Sequence, residues 1–131
     1  MTPISVLVVQ HDAVTRDAIK SMLDRLGCLT IRVSSTDFAI GALRTVVFNL
    51  MLFSSTRDDI EVEMVALRAK VVQPRVKVIF LTGSLPARQL SAVDLVLQTP
   101  FEIDMLEDAI REVVGHEAQR NSSTDVPLIE A

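Results

Sequence analysis

The chain has 131 residues, 49% of them hydrophobic and 23% charged, which gives a single globular domain with room for a core and excludes a disordered chain. A formal net charge of −4, from 13 basic and 17 acidic residues, speaks against a nucleic-acid-binding surface, because backbone binding needs a clustered positive face. No apolar run is long enough to span a membrane and the N-terminus lacks a signal-peptide pattern, so a cytoplasmic location is the default expectation.

The first predicted strand is Ile4–Val9, short, apolar and β-branched, as in a parallel-sheet strand buried on both faces. Gln10, His11 and Asp12 follow it, where an open α/β sheet places its chemistry. Val14, Ala18, Ile19, Met22, Leu23 and Leu26 then recur at helical spacing, with Asp12 as cap and Gly27 just past the end. Cys28, the single cysteine, excludes an internal disulfide and reads as a small buried apolar residue. Leu29–Val33 is a second strand, and Ser34-Ser35-Thr36-Asp37 supplies cap formers for a short helix carrying Phe38, Ala39, Ala42, Leu43 and Val46.

Phe48–Phe53 is a third strand, ending at Ser54-Ser55-Thr56. Asp58 and Asp59 open a third helix, whose predicted apolar face is Ile60, Met64, Val65, Leu67 and Val71. Gln73-Pro74 stops it. Val76–Leu81 is a fourth strand, followed by Thr82-Gly83-Ser84, and Leu85–Ser91 has room only for a short helix. Val93–Leu97 is a fifth strand, and Phe101–Val114 a last amphipathic helix with Ile103, Leu106, Ile110 and Val113 inward. Residues 1–115 form the predicted domain, and 116–131 read as a polar tail or linker. Five strands alternating with five helices give a parallel sheet with helices on both faces and right-handed crossovers.

This order of elements resembles the receiver domain of bacterial two-component response regulators over residues 4 to about 115. The resemblance is carried by Val6-Leu7-Val8-Val9 with Asp12 and Arg16, by Leu50–Phe53, by Ile79-Phe80-Leu81-Thr82-Gly83 and by Thr99-Pro100-Phe101. It implies a flavodoxin-like doubly wound sheet of five parallel strands in the order 2-1-3-4-5. It also implies a cis peptide at Thr99-Pro100. The span from Thr82 to Thr99 is short for this family, so the helix between the fourth and fifth strands is expected to be stunted or missing.

Receivers of this family accept a phosphoryl group on an aspartate ending the third strand, with a carboxylate pair holding Mg²⁺ and a hydroxyl and a lysine contacting the phosphoryl group. Carried onto this sequence, the acceptor position falls on Ser54 and the carboxylate positions fall within Gln10, His11 and Asp12, where Asp12 alone is acidic. The hydroxyl position is kept as Thr82, the lysine position falls on Thr99, and the switch aromatic falls near Val96. A serine hydroxyl without an activating base is a poor nucleophile, and one carboxylate holds Mg²⁺ weakly. The resemblance therefore implies a degenerate receiver, or pseudo-receiver, without aspartyl phosphorylation, catalytic residues, bound metal or cofactor.

The expected function is a phosphorylation-independent protein-interaction module in signal transduction, with contact surfaces near Leu85–Leu97 and Phe101–Val114. Met105 and Leu106 are candidate contacts there, and the last helix is a candidate homodimer face. Two other readings stand beside it: a regulatory N-terminal module of a larger signalling protein, and a small-ligand pocket formed by neutral Gln10, His11, Ser54, Thr82 and Thr99. No Gly-rich phosphate loop supports a nucleotide. A Ser54-His11-Asp12 hydrolase is disfavoured, because Asp12 adjoins His11 in sequence and is poorly placed to orient it. Phosphorylation of Ser54 by a kinase, and of His11, are weighed below structural roles for both, as is metal binding by His11.

Overall fold

The computed structural model describes residues 3–55 and 58–115. In chain order these form β1 (Ser5–Val9), α1 (Ala13–Arg25), β2 (Leu29–Val33), α2 (Thr36–Thr45), β3 (Leu50–Ser54), α3 (Asp59–Val72), β4 (Lys77–Thr82), β5 (Leu95–Gln98) and α4 (Ile103–Ile110), with a π-helical last turn at Arg111–Gly115. The strands make one parallel sheet in the order β2-β1-β3-β4-β5. Among the described residues, no helix is long and apolar enough to cross a membrane.

The apolar runs become central strands because both of their faces are covered. Side chains alternate across a strand, and the two sets divide cleanly between two cores. Leu7, Val9, Met51, Phe53, Val78 and Phe80 pack under α2 and α3. Val6, Val8, Leu50, Leu52, Ile79 and Leu81 pack under α1 and α4. Register keeps the layers aligned: Val6 to Val9 pair with Leu50 to Phe53, and Leu50 to Ser54 pair with Lys77 to Leu81. Fully burying each such side chain contributes about 1.5–3 kcal/mol.

Each of the first three helices starts on a side chain that accepts a backbone N–H: Asp12 from Thr15, Ser35 from Phe38 and Asp58 from Glu61. Past α1 the chain turns through Gly27 at φ 81°, a left-handed conformation that glycine adopts without a Cβ penalty. Cys28 is half-buried against the α1–α4 core, and burial, with Asp24 nearby, pushes its thiol pKa up. The Thr99-Pro100 peptide is cis.

Among the described residues four α-helices form, and the helix absent between β4 and β5 is the one expected to be stunted or missing. No helix lies between β4 and β5. The connection instead plugs the core with buried Leu90 and Ala92 and takes its hydrogen bonds from α3. Asp59 accepts from the Ala87 N–H (2.9 Å). Glu63 accepts from the Ser91 N–H (2.7 Å), the Ser91 hydroxyl (3.0 Å) and the Ala92 N–H (2.7 Å). Lys70 pairs with Asp94 at 2.7 Å, and Asp94 also accepts from the Val78 N–H. At the far end of α3, Gln73 accepts from the Phe48 N–H (3.0 Å) and donates to the Leu43 (2.7 Å) and Val46 carbonyls, closing the α2–β3 connection.

Several predicted helix faces are corrected. α3 buries Val62, Val65, Ala66 and Ala69, whereas Ile60, Met64, Leu67 and Val71 are exposed. The valine and alanine set of α3 seats in the core under the sheet, and the larger apolar stripe points away. Val14 and Phe38 are exposed because α1 and α2 seat Ile19 and Leu23, and Ala39, Ile40 and Leu43, respectively. Val46 is the exposed C-cap of α2. In α4 and its π-helical last turn, Leu106, Ile110 and Val113 point inward as expected, so Leu106 is no contact candidate; Met105 is exposed.

Burial pushes the Glu63 pKa up, but the hydrogen bonds from Ala92 and Ser91 outweigh it and hold the carboxyl below 4.5. The stabilisation is complete above 4.5 and is lost as pH falls through the lowered value. We expect the Ser91 and Ala92 amide resonances to titrate below that pH, and Glu63→Gln to abolish the titration. Gln73→Ala removes the partners of Phe48 and Leu43 and is expected to cost about 1–3 kcal/mol in urea unfolding.

Candidate functional site

The carboxyl ends of β1 and β3 lie side by side at the point where strand order reverses, and the residues beyond them open onto a cavity of about 430 Å³. Its apolar floor is Val9, Phe53 and Val65. Gln10, His11 and Ser54 line it from the strand ends, Ser34 to Asp37 from the β2–α2 connection, Ser55 from just past β3, and Arg68 from α3. Gln10 is buried, and its side-chain oxygen accepts from the Asp12 N–H (3.0 Å), which shapes the turn after β1.

The six predicted site residues divide into three places. Gln10, His11 and Ser54 share the cavity wall. Asp12 is outside the lining and works as the α1 cap: its Oδ2 accepts from the Thr15 N–H (2.9 Å) and hydroxyl (2.6 Å). Those two bonds, with small contributions from His11 and Arg16, hold the Asp12 carboxyl below its usual range. Thr82 and Thr99 are neighbours at the ends of β4 and β5, joined by the Thr99 N–H to Thr82 carbonyl bond (2.8 Å). The Thr82 hydroxyl is engaged locally, donating to the Ser84 carbonyl (2.7 Å) and accepting from its N–H (3.2 Å). A Cβ at Gly83 would meet Thr99 Oγ1 at 3.6 Å, an ordinary contact.

Arg16 reaches back across the first turn and donates to the carbonyls of Gln10 (2.9 Å) and His11 (3.4 Å). Its guanidinium places a fixed positive charge beside the single carboxylate at this strand end. A divalent ion of the magnesium type needs oxygen donors, including carboxylates, in a near-octahedral set. Here the one carboxylate is spent on a helix cap, the carbonyls beside it face an arginine, and the neighbouring strand ends in Ser54. Among the described residues, no three His, Cys, Asp or Glu side chains come together. The residues present do not fit a magnesium site.

The sequence left Ser34 to Asp37, Ser55, Val65 and Arg68 out of the site. The first four follow β2, the neighbour of β1, so their place at the switch point was accessible from topology. Arg68 carried no such signal, since its entry into the cavity depends on the phase with which α3 packs. Thr56, the last residue of the predicted polar run after the third strand, lies outside the described residues.

No protein-family model matches the chain, and no curated protein sequence does. Solved structures do. The fold superimposes on a CheY-like response regulator receiver domain protein from Methanospirillum hungatei JF-1 with a TM-score of 0.81 at 22% identity, covering 91% of this chain and 99% of that one. The receiver domain of a sensor histidine kinase from Pseudomonas aeruginosa PAO1, solved with magnesium coordinated in its active-site cleft, gives 0.74 at 20% identity, over 87% and 99%. The signal receiver domain of an HD domain-containing protein from Pseudomonas fluorescens Pf-5 gives 0.79 at 16% identity, over 90% and 99%. The chain has the fold of response-regulator receiver domains.

An asparagine keeps the capping oxygen and an alanine does not. Asp12→Ala is therefore expected to lower the thermal midpoint, and Asp12→Asn to retain most of it, with or without magnesium.

Proposed function

We propose that this chain is an atypical response-regulator receiver, acting in two-component signalling as a cytoplasmic, non-enzymatic protein-interaction module whose state does not depend on aspartyl phosphorylation. The observation that carries the reading is the chemistry at the strand ends. The acceptor position is Ser54, and the remaining carboxylate, Asp12, caps α1 beside an arginine. Phosphoryl transfer is mostly positioning and charge neutralisation, and neither a metal-binding carboxylate pair nor the family lysine stands at these positions. Replacing clustered carboxylates with neutral groups also removes their mutual repulsion, so the packing is kept without the charge.

A protein partner has the β4–β5 connection and α4 available, where Leu85 and Met105 are exposed. With Leu106 buried, Met105 alone is thin support for a homodimer through α4. The likeness to a receiver domain of an HD domain-containing protein supports the companion reading of a regulatory module within a longer protein.

The cavity beyond β1 and β3 favours a second reading. Its volume is within the range of small-molecule sites, and its apolar floor under hydroxyl, imidazole and guanidinium groups suits a small polar ligand. Incubation with Mg²⁺ and acetyl phosphate, or with beryllofluoride, is expected to leave the mass and the amide spectrum unchanged. A stoichiometric phosphoryl adduct would overturn the proposal. A thermal-shift screen of metabolites and nucleotides tests the second reading, with a rise in midpoint that Arg68→Ala removes as the supporting result.

A further inference from the structure

α3 is apolar on two opposite faces. One face buries Val62, Val65, Ala66 and Ala69. The other carries Ile60 (58% exposed), Met64 (57%), Leu67 (48%) and Val71 (81%). The spacing of that second stripe, four then three then four residues, is the a/d repeat of a helix–helix seam. Beside it, Met64, Leu67, Arg68, Val71 and Val72 of α3 form a groove of about 290 Å³ with Ile40 and Arg44 of α2. A helix that is apolar on both sides leaves one side in want of cover.

The charges flanking the stripe select what covers it. Glu61 and Arg68 lie seven residues apart on one flank, acidic toward the N-terminus and basic toward the C-terminus of α3, whereas Glu63 and Lys70 on the other flank are held by the β4–β5 connection. We infer that this face binds a second copy of the chain, α3 against α3, antiparallel about a two-fold axis between Met64 and Leu67. In that arrangement Ile60 meets Val71 of the second copy, Met64 meets its Leu67, and Glu61 stands beside its Arg68, each contact occurring twice. The antiparallel pair also opposes the two helix dipoles. The apolar stripe lies outside the strand-end cavity, which this face meets at Arg68.

The test is sedimentation or light scattering of the full chain from micromolar to near-millimolar concentration, with circular dichroism confirming that each variant is folded. The wild-type chain is expected to dimerise reversibly. Met64→Glu and Leu67→Glu, both at exposed positions, are expected to weaken association by tenfold or more. Glu61→Arg and Arg68→Glu each place like charges across the seam, and each is expected to weaken association by about tenfold. The double variant E61R/R68E is expected to recover most of the lost affinity. A chain that stays monomeric throughout, or charge variants that weaken association singly without recovery in the double swap, would overturn the inference.

Discussion

The packing of α3 against the sheet is the constraint on which the rest of this structure depends. Val62, Val65, Ala66 and Ala69 seat one face of the helix in the core, and that orientation puts its polar side chains within reach of three other parts of the chain. Asp59, Glu63 and Lys70 hold the connection between β4 and β5. Gln73 holds the connection between α2 and β3. Arg68 reaches the cavity at the strand ends. Any rotation of α3 would exchange its buried and exposed apolar stripes and break these contacts together.

The sheet was legible from the sequence because its signal is strong: three nearly all-apolar runs, each bounded by polar or turn residues, can only be strands covered on both sides. Helix phase was the harder matter. In α3 two apolar sets of similar size compete, and periodicity favoured the set with the larger side chains, Ile60, Met64, Leu67 and Val71. In the structure the valine and alanine set, Val62, Val65, Ala66 and Ala69, is the one the core takes in. Val14 and Phe38 misled in the same way, as apolar residues at helical spacing that the packing left outside.

The site was legible in part for a related reason. Strand ends are fixed by the sheet, so Gln10, His11, Asp12, Ser54, Thr82 and Thr99 all stand at its carboxyl edge as expected. What sequence could not supply is which of them share a space. Asp12 turned inward along its own helix to Thr15, Thr82 and Thr99 closed on each other's backbone, and the cavity formed on the β2 side instead. The charge census and the geometry agree on one point. The positive group nearest the first strand end is a guanidinium bound to backbone carbonyls, and the negative group is a cap.

The loop that stands in for a helix between β4 and β5 has a consequence for how this molecule opens. A helix satisfies its own amides and can unravel alone. This connection borrows its acceptors from carboxylates on α3 and anchors itself with Leu90 and Ala92 in the shared core. It therefore has little free energy of its own to lose or gain. The edge strand, the connection and α3 are expected to open as one cooperative unit, with their amides becoming accessible to solvent together.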